Sequence, residues 1–172
     1  TINKNIVRRK QFVDKDLSFF MDVPLPSWIE LSIIDVCNRK CSFCPKSDDS
    51  VAPDTYQKSS VFMFEKLANE LEEIGFNGAF ALCGYGEPYL HKNVYEIIKI
   101  LSRVSRVEVV TNGDLIKPKT LQKTVDAGVS KILISMYDSA DQVEHFKNIV
   151  EESKVPNDIV ILRDRWYDDS QN

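Results

Sequence analysis

Trp28-Ile29-Glu30-Leu31-Ser32-Ile33-Ile34 runs, across Asp35 and Val36, into Cys37-Asn38-Arg39-Lys40-Cys41-Ser42-Phe43-Cys44-Pro45. The first part is β-branched and aromatic, the composition of a buried strand. The second places three of the chain's four cysteines within eight residues, spaced C-x3-C-x2-C. Thiolates this close do not readily bridge one another, but they can wrap one soft metal centre. Cysteine sulfur is the usual ligand of iron–sulfur clusters and of structural zinc. Three ligands are one short of a closed four-cysteine site, and an open position is the mark of a chemical site rather than a structural one.

Beyond the cysteines the chain repeats a strand-then-helix unit. The loop continues through Lys46-Ser47-Asp48-Asp49-Ser50 to Ser60, with Pro53 inside it, long enough to be either functional or a flexible linker. Phe64, Leu67, Leu71 and Ile74 then fall at helical spacing, ended by Gly75. Gly78 to Cys83 reads as a second strand, Val94, Ile97, Ile98 and Leu101 as a helix, and Val107 to Val110 as a third strand. Pro118 suits a helix first turn, with Leu121, Val125 and the stop Gly128 after it. Lys131 to Ser135 is a fourth strand, Val143, Phe146, Ile149 and Val150 a fourth helix, and Ile159 to Arg163 a fifth strand. Strands alternating with helices predict parallel pairing with right-handed crossovers. The expected fold class is α/β: a partial (β/α) TIM-type barrel of about five parallel strands with helices outside. A doubly wound sheet is the alternative that pattern alone leaves open. The expected organisation is a lead-in over 1–27, a core domain over 28–165 and a polar tail over 166–172.

In parallel α/β folds the chemistry sits beyond the C-terminal ends of the strands. The first strand is followed by Cys37, Cys41 and Cys44, the second by Gly84-Tyr85-Gly86-Glu87-Pro88, the third by Thr111-Asn112-Gly113-Asp114. The fourth ends in Ser135, followed by Met136-Tyr137-Asp138, and the fifth in Arg163-Asp164-Arg165. Every strand thus delivers polar or glycine-rich residues to one rim. Gly84 and Gly86 let main-chain carbonyls approach a ligand closely, and with the Glu87 carboxylate they suit an ammonium group. Asn112 and Ser135 can hydrogen-bond a ribose or a carboxylate, although each residue type is common in turns and caps. The planar guanidinium of Arg163 suits a carboxylate and equally a surface ion pair. Cys83 reads as a small buried core residue, or else as a fourth metal ligand. His91 reads as structural and His145 as exposed in mid-helix.

The motif C-x3-C-x-aromatic-C, with Phe43 as the aromatic, resembles the signature of the radical S-adenosylmethionine (radical SAM) enzymes. That resemblance implies a 4Fe–4S cluster on Cys37, Cys41 and Cys44, with the remaining iron chelated by the amino and carboxylate groups of SAM. Gly84 to Pro88 resembles the family's glycine-glycine-glutamate segment, with Tyr85 inserted, which holds the methionine amino group. Thr111-Asn112-Gly113 and Ala127 to Ser135 resemble segments whose residues contact SAM, Phe43 would lie against the adenine, and Arg163 is carried over as a further contact. The glycine-x-isoleucine pattern of some members is not evident after the fifth strand. The branch most resembled is the peptide-modifying, SPASM-like one. In that branch a C-terminal auxiliary-cluster domain usually follows; nine residues follow Arg163 here, so the expectation is a core barrel domain without it. The implied function is reductive cleavage of SAM to a 5′-deoxyadenosyl radical that abstracts hydrogen from an unknown substrate, in an oxygen-sensitive enzyme fed by a flavodoxin- or ferredoxin-like one-electron donor. Two other readings stand beside it. One is a zinc-binding structural module on all four cysteines; the other is a truncated barrel active only with a partner chain.

Composition bounds these readings. With 172 residues and 43% hydrophobic content the chain can bury one real core. A formal net charge of -4 argues against nucleic-acid binding. The basic run Arg8-Arg9-Lys10 is short and followed by Asp14 and Asp16, which reads as a solvated face. No apolar run approaches the roughly 18 residues that span a bilayer, and no signal-peptide pattern is visible. Clustered cysteines without such a signal predict a reducing, cytoplasmic setting. The fifth strand is expected to be an edge, open to a second copy or a partner chain.

Overall fold

The structure, a computed structural model, describes residues 7, 9–10 and 18–166. The expected polar tail lies, after Trp166, outside the described residues, as does most of the basic and acidic lead-in. A short antiparallel hairpin of β1 (Phe19–Phe20) and β2 (Val23–Pro24) turns at Met21. The main sheet holds β3 (Trp28–Leu31), β4 (Ala79–Leu82), β5 (Arg106–Thr111), β6 (Lys131–Met136) and β7 (Val160–Asp164). All four pairings are parallel, and the strands lie in chain order from β3 to β7. A doubly wound sheet reverses direction at its first strand. Sequential order removes that alternative and leaves the open section of a (β/α) barrel.

The helices are α1 (Val61–Glu73), α2 (Val94–Val104), α3 (Pro118–Asp126) and α4 (Asp141–Ser153). Their starts follow local chemistry. The Ser60 hydroxyl accepts from the Met63 amide at 3.3 Å ahead of α1, and Pro118 occupies the first turn of α3, where no amide is needed. Each helix turns an apolar stripe to the sheet: Phe64, Ala68 and Leu71 from α1, and Val94, Ile97, Ile98 and Leu101 from α2. These stripes meet Phe80, Leu82, Val107, Val109, Ile132 and Ile134 in one core. The alternating strand residues face the other way, and that inner face carries Glu30, Ala81, Cys83, Glu108, Leu133, Ser135 and Arg163. Arg9, near the chain start, lies 3.3 Å from the Glu30 carboxylate and 4.8 Å above the Trp28 ring. Among the described residues no helix is long and apolar enough to cross a membrane.

Two expectations change in the structure. The first strand ends at Leu31, three residues early, because Ile33 to Asp35 pair with the returning loop instead. Ile34 bridges Lys58, Ser59 N donates to Ile33 O at 3.0 Å, and Asp35 N donates to Gln57 O at 3.2 Å. For the same reason the stretch up to Ser60 is not a flexible linker. Its middle is anchored by Lys46, 3% exposed, which donates to Pro53 O and to the Asp54 carboxylate at 2.9 Å each. The Thr55 amide donates to Asp35 at 2.8 Å.

The glycine loop after β4 is packed against the exit of β3. A Cβ on Gly86 would fall inside the van der Waals contact of Ile34 O and lie 3.1 Å from Val36 O. Backbone carbonyls cannot swing aside as side chains can. We therefore expect Gly86→Ala to lower stability by about 3 kcal/mol, roughly 6–12 °C in Tm, measured by thermal denaturation. A Tm within 2 °C of wild type would contradict this packing.

Candidate functional site

Four strand exits converge on one cavity of about 280 Å³. Cys37, Cys41, Cys44 and Phe43 line it from the loop after β3. Cys83, Gly84, Tyr85, Gly86 and Glu87 enter from the exit of β4, Thr111 and Asn112 from β5, and Tyr137 from just past β6. Nine residues expected at a site, the three cysteines, Phe43, Gly84, Tyr85, Gly86, Glu87 and Asn112, therefore share one cavity. Ser135 and Arg163 do not line it. They stand on the inner face of β6 and β7 as register partners, buried, with Arg163 Nη2 donating to Ser135 Oγ at 3.0 Å.

Glu87 is the one buried charged residue of the lining, 2% exposed. Its Oε1 accepts from Tyr89 N at 3.2 Å and Thr111 Oγ1 at 2.8 Å, and its Oε2 accepts from Asn112 N at 2.9 Å. The carboxylate thus ties the glycine loop to the exit of β5, and what the loop presents to a ligand is its backbone. Burial pushes the Glu87 carboxyl above the ordinary glutamate value, against the pull of those donors. The Glu87 amide donates to Val36 O at 2.9 Å, which joins the same loop to the start of the cysteine run. Gly84, at φ +120°, adopts a backbone conformation that L side chains rarely reach and lies against Ser32.

Asn112 is committed to the cysteine loop. Its Nδ2 donates to Asn38 Oδ1 at 2.8 Å and lies 3.8 Å from Cys37 Sγ, while its Oδ1 accepts from Asp114 N at 3.0 Å. Phe43 is 62% exposed at the cavity mouth and packs on Tyr137 with ring centroids 5.4 Å apart. Tyr85 is likewise exposed.

Burial raises the Cys37 and Cys41 thiols. The Arg39 amide and the Asn112 side chain oppose this at Cys37, and the Arg39 charge opposes it at Cys41. Among the described residues no three Cys, His, Asp or Glu side chains are gathered closely enough to hold one metal ion as they stand. Three soft donors lining one cavity fit a polynuclear iron–sulfur cluster, in which each thiolate takes its own metal.

Sequence reasoning placed Tyr137 on the rim without a role and missed Arg39. The signal for Arg39 was present: a cation inside the cysteine run, with acids at Asp114 and Asp138 just past two strands. Cys83 is not a closed core residue. It is half-buried, on the inner face next to Glu30, and lines the same cavity as the other three cysteines. His91 is structural: it is 2% exposed, its Nε2 lies 3.0 Å from Ser59 O, and its Nδ1 accepts from Asn93 N at 3.1 Å.

Comparison with known proteins adds to this geometry. The model of the Radical SAM superfamily matches residues 31–160. The S-adenosyl-L-methionine-dependent 2-deoxy-scyllo-inosamine dehydrogenase of Niallia circulans is 29% identical over 117 residues, covering 66% of this chain and 46% of that protein. A GTP 3′,8-cyclase of Mannheimia succiniciproducens is 33% identical over 137 residues, covering 74% of this chain and 37% of the cyclase. The chain thus spans less than half the length of these curated relatives. Among solved structures, BtrN in complex with AdoMet and 2-DOIA superposes with a TM-score of 0.70 at 24% identity, covering 82% of this chain and 57% of that one, a likeness of fold.

Burial, with the Glu30 carboxylate beside it, pushes the Cys83 thiol up to about 11. Its thiolate fraction near pH 8 is then roughly a hundredfold below that of an ordinary cysteine. Alkylation of the metal-free protein with iodoacetamide, followed by peptide mass spectrometry, should label Cys83 about a hundredfold more slowly than free cysteine. Labelling should accelerate as pH approaches 11. Equal rates would refute the buried environment.

Proposed function

Because the chain belongs to the radical SAM superfamily, we propose that residues 28–165 hold a 4Fe–4S cluster on Cys37, Cys41 and Cys44 and bind SAM beside it, as the core of an enzyme. The observation that carries the reading is the shared cavity: the three thiols and the backbone of Gly84 to Glu87 line one space at the C-terminal ends of parallel strands. The chemistry the pair supplies when bound is reductive cleavage of SAM to a 5′-deoxyadenosyl radical, which takes a hydrogen atom from a substrate.

The protein's own residues do the placing. Gly84 and Gly86 expose main-chain groups that can meet the methionine ammonium, and the buried Glu87 holds that loop in register. Phe43 offers an exposed ring face to the adenine, with Tyr85 and Tyr137 on the same mouth. Asn112 supports Cys37 through its amide. Ser135 and Arg163 would meet the nucleoside from the inner face, behind the cavity. Glu30, Glu108, Ser135 and Arg163 put polar groups on that inner face, which favours a small polar substrate over a lipid. The names of the two relatives above, a cyclitol-amine dehydrogenase and a GTP cyclase, accord with that choice. The reading also requires a one-electron donor of the flavodoxin or ferredoxin kind. A partner or second copy along β7 is a further part of it, since β7 pairs only with β6 among the described strands.

Anaerobic reconstitution with iron and sulfide, then EPR of the dithionite-reduced protein with and without SAM, tests the proposal. About four irons per chain are expected, with a signal that changes when SAM is added. Cys37→Ala, Cys41→Ala and Cys44→Ala should each abolish that signal, whereas Cys83→Ala should keep it. A single tightly bound zinc, or a cluster signal indifferent to SAM, would overturn the reading.

A further inference from the structure

Arg39 stands two residues from both Cys37 and Cys41. Its guanidinium makes two forked ion pairs. Nε and Nη2 donate to the Asp114 carboxylate at 2.7 and 2.5 Å, and Nη1 and Nη2 donate to the Asp138 carboxylate at 2.7 and 2.8 Å. Asp114 lies just past β5 and Asp138 just past β6. One side chain therefore fastens the cysteine loop to two neighbouring strand exits. The same guanidinium lies 5.8 Å from the centre of the Tyr137 ring, whose other neighbour is Phe43. The Arg39 amide adds a contact of 3.5 Å to Cys37 Sγ.

Exposed ion pairs contribute little to a fold. This one differs in geometry: it is bidentate twice over, and the Arg39 side chain is only 18% exposed. Lysine, a point charge on a flexible stem, cannot make a planar, paired contact with each of two carboxylates. Asn38 reinforces the fastening, its Nδ2 donating to Asp114 Oδ2 at 2.7 Å.

We infer that Arg39 is the positioning residue of the cluster site. Its fork onto Asp114 and Asp138 fixes the cysteine loop in place, and its charge, which acts on Cys41, offsets the two carboxylates it binds. This rests on the reading of Cys37, Cys41 and Cys44 as cluster ligands. The electrostatic consequence has a definite sign. A reduced cluster carries one more negative charge than an oxidised one. The Arg39 cation therefore favours reduction, and the two carboxylates oppose it.

The test separates charge from geometry. The full chain is reconstituted anaerobically as wild type, Arg39→Gln, Arg39→Lys and Asp138→Asn. Midpoint potentials are then measured without SAM, together with iron loss to a chelator. Arg39→Gln should shrink the reduced fraction about tenfold at a fixed applied potential, about 59 mV for a one-electron couple, and should lose iron about tenfold faster. Arg39→Lys should recover the potential but not the iron retention. Asp138→Asn, which removes an opposing charge, should shift the potential the other way. Arg39→Gln with wild-type potential and wild-type retention would overturn the inference. If circular dichroism shows that Arg39→Gln does not fold, Asp138→Asn decides, its carboxylate being 57% exposed; an unchanged midpoint there would overturn it equally. A wild-type chain that takes up no four-iron cluster is a different result, because it removes the reading on which the inference stands.

Discussion

A carboxylate at 2% exposure must replace its lost water with donors, and Glu87 does so with three: the amides of Tyr89 and Asn112 and the hydroxyl of Thr111. Two of the three come from the exit of a different strand. The glycine loop therefore cannot move without stranding a buried charge, and neither can the start of the loop after β5. The Glu87 amide, bonded to Val36 O, adds the first strand's exit to the set. Asn112 returns to Asn38, and Arg39 reaches Asp114 and Asp138. The rim is thus a closed circuit of hydrogen bonds with the cysteines inside it. Glu87 is its one fully buried charge, so it is where a break would be most costly.

The thiols sit in an environment that pulls in two directions. Burial favours the protonated form, while Arg39 and Asn112 favour the thiolate at Cys41 and Cys37 respectively. Metal binding resolves such a balance, because a coordinating thiol gives up its proton. At Cys37 and Cys41 the nearby donors and the Arg39 charge therefore act in the same direction as a bound metal would.

Much of this was legible in residue types and spacing. The five strands, four helices and the direction of the rim follow from local periodicity, and local periodicity is what a sequence displays. The cysteine run and Gly84 to Glu87 announce themselves because their chemistry is compressed into a few neighbours. The circuit around them does not. Arg39 meets Asp114 and Asp138 across separations of 75 and 99 residues, and no periodicity links such partners. The early end of β3 was hidden for a similar reason: Ile33 and Ile34 read as strand, and they do pair, but with Ser59 and Lys58 rather than with β4. Ser135 and Arg163 were placed on the rim by their position at strand ends. The two-residue alternation of a strand turned both to the inner face instead, where they bond each other.

The sequential order of the sheet also bears on how the molecule comes into being. Among the described residues, each strand of the main sheet pairs only with its neighbours in chain order. A sheet wired this way can grow in one direction as the polypeptide leaves the ribosome, without waiting for a distant segment to thread back between strands already paired. Every residue lining the cavity lies between Cys37 and Tyr137. The Arg39 fork closes one residue later, at Asp138. The lining of the cavity, among the described residues, is therefore drawn from the exits of β3 to β6, and α4 and β7 can pack later without supplying any part of it.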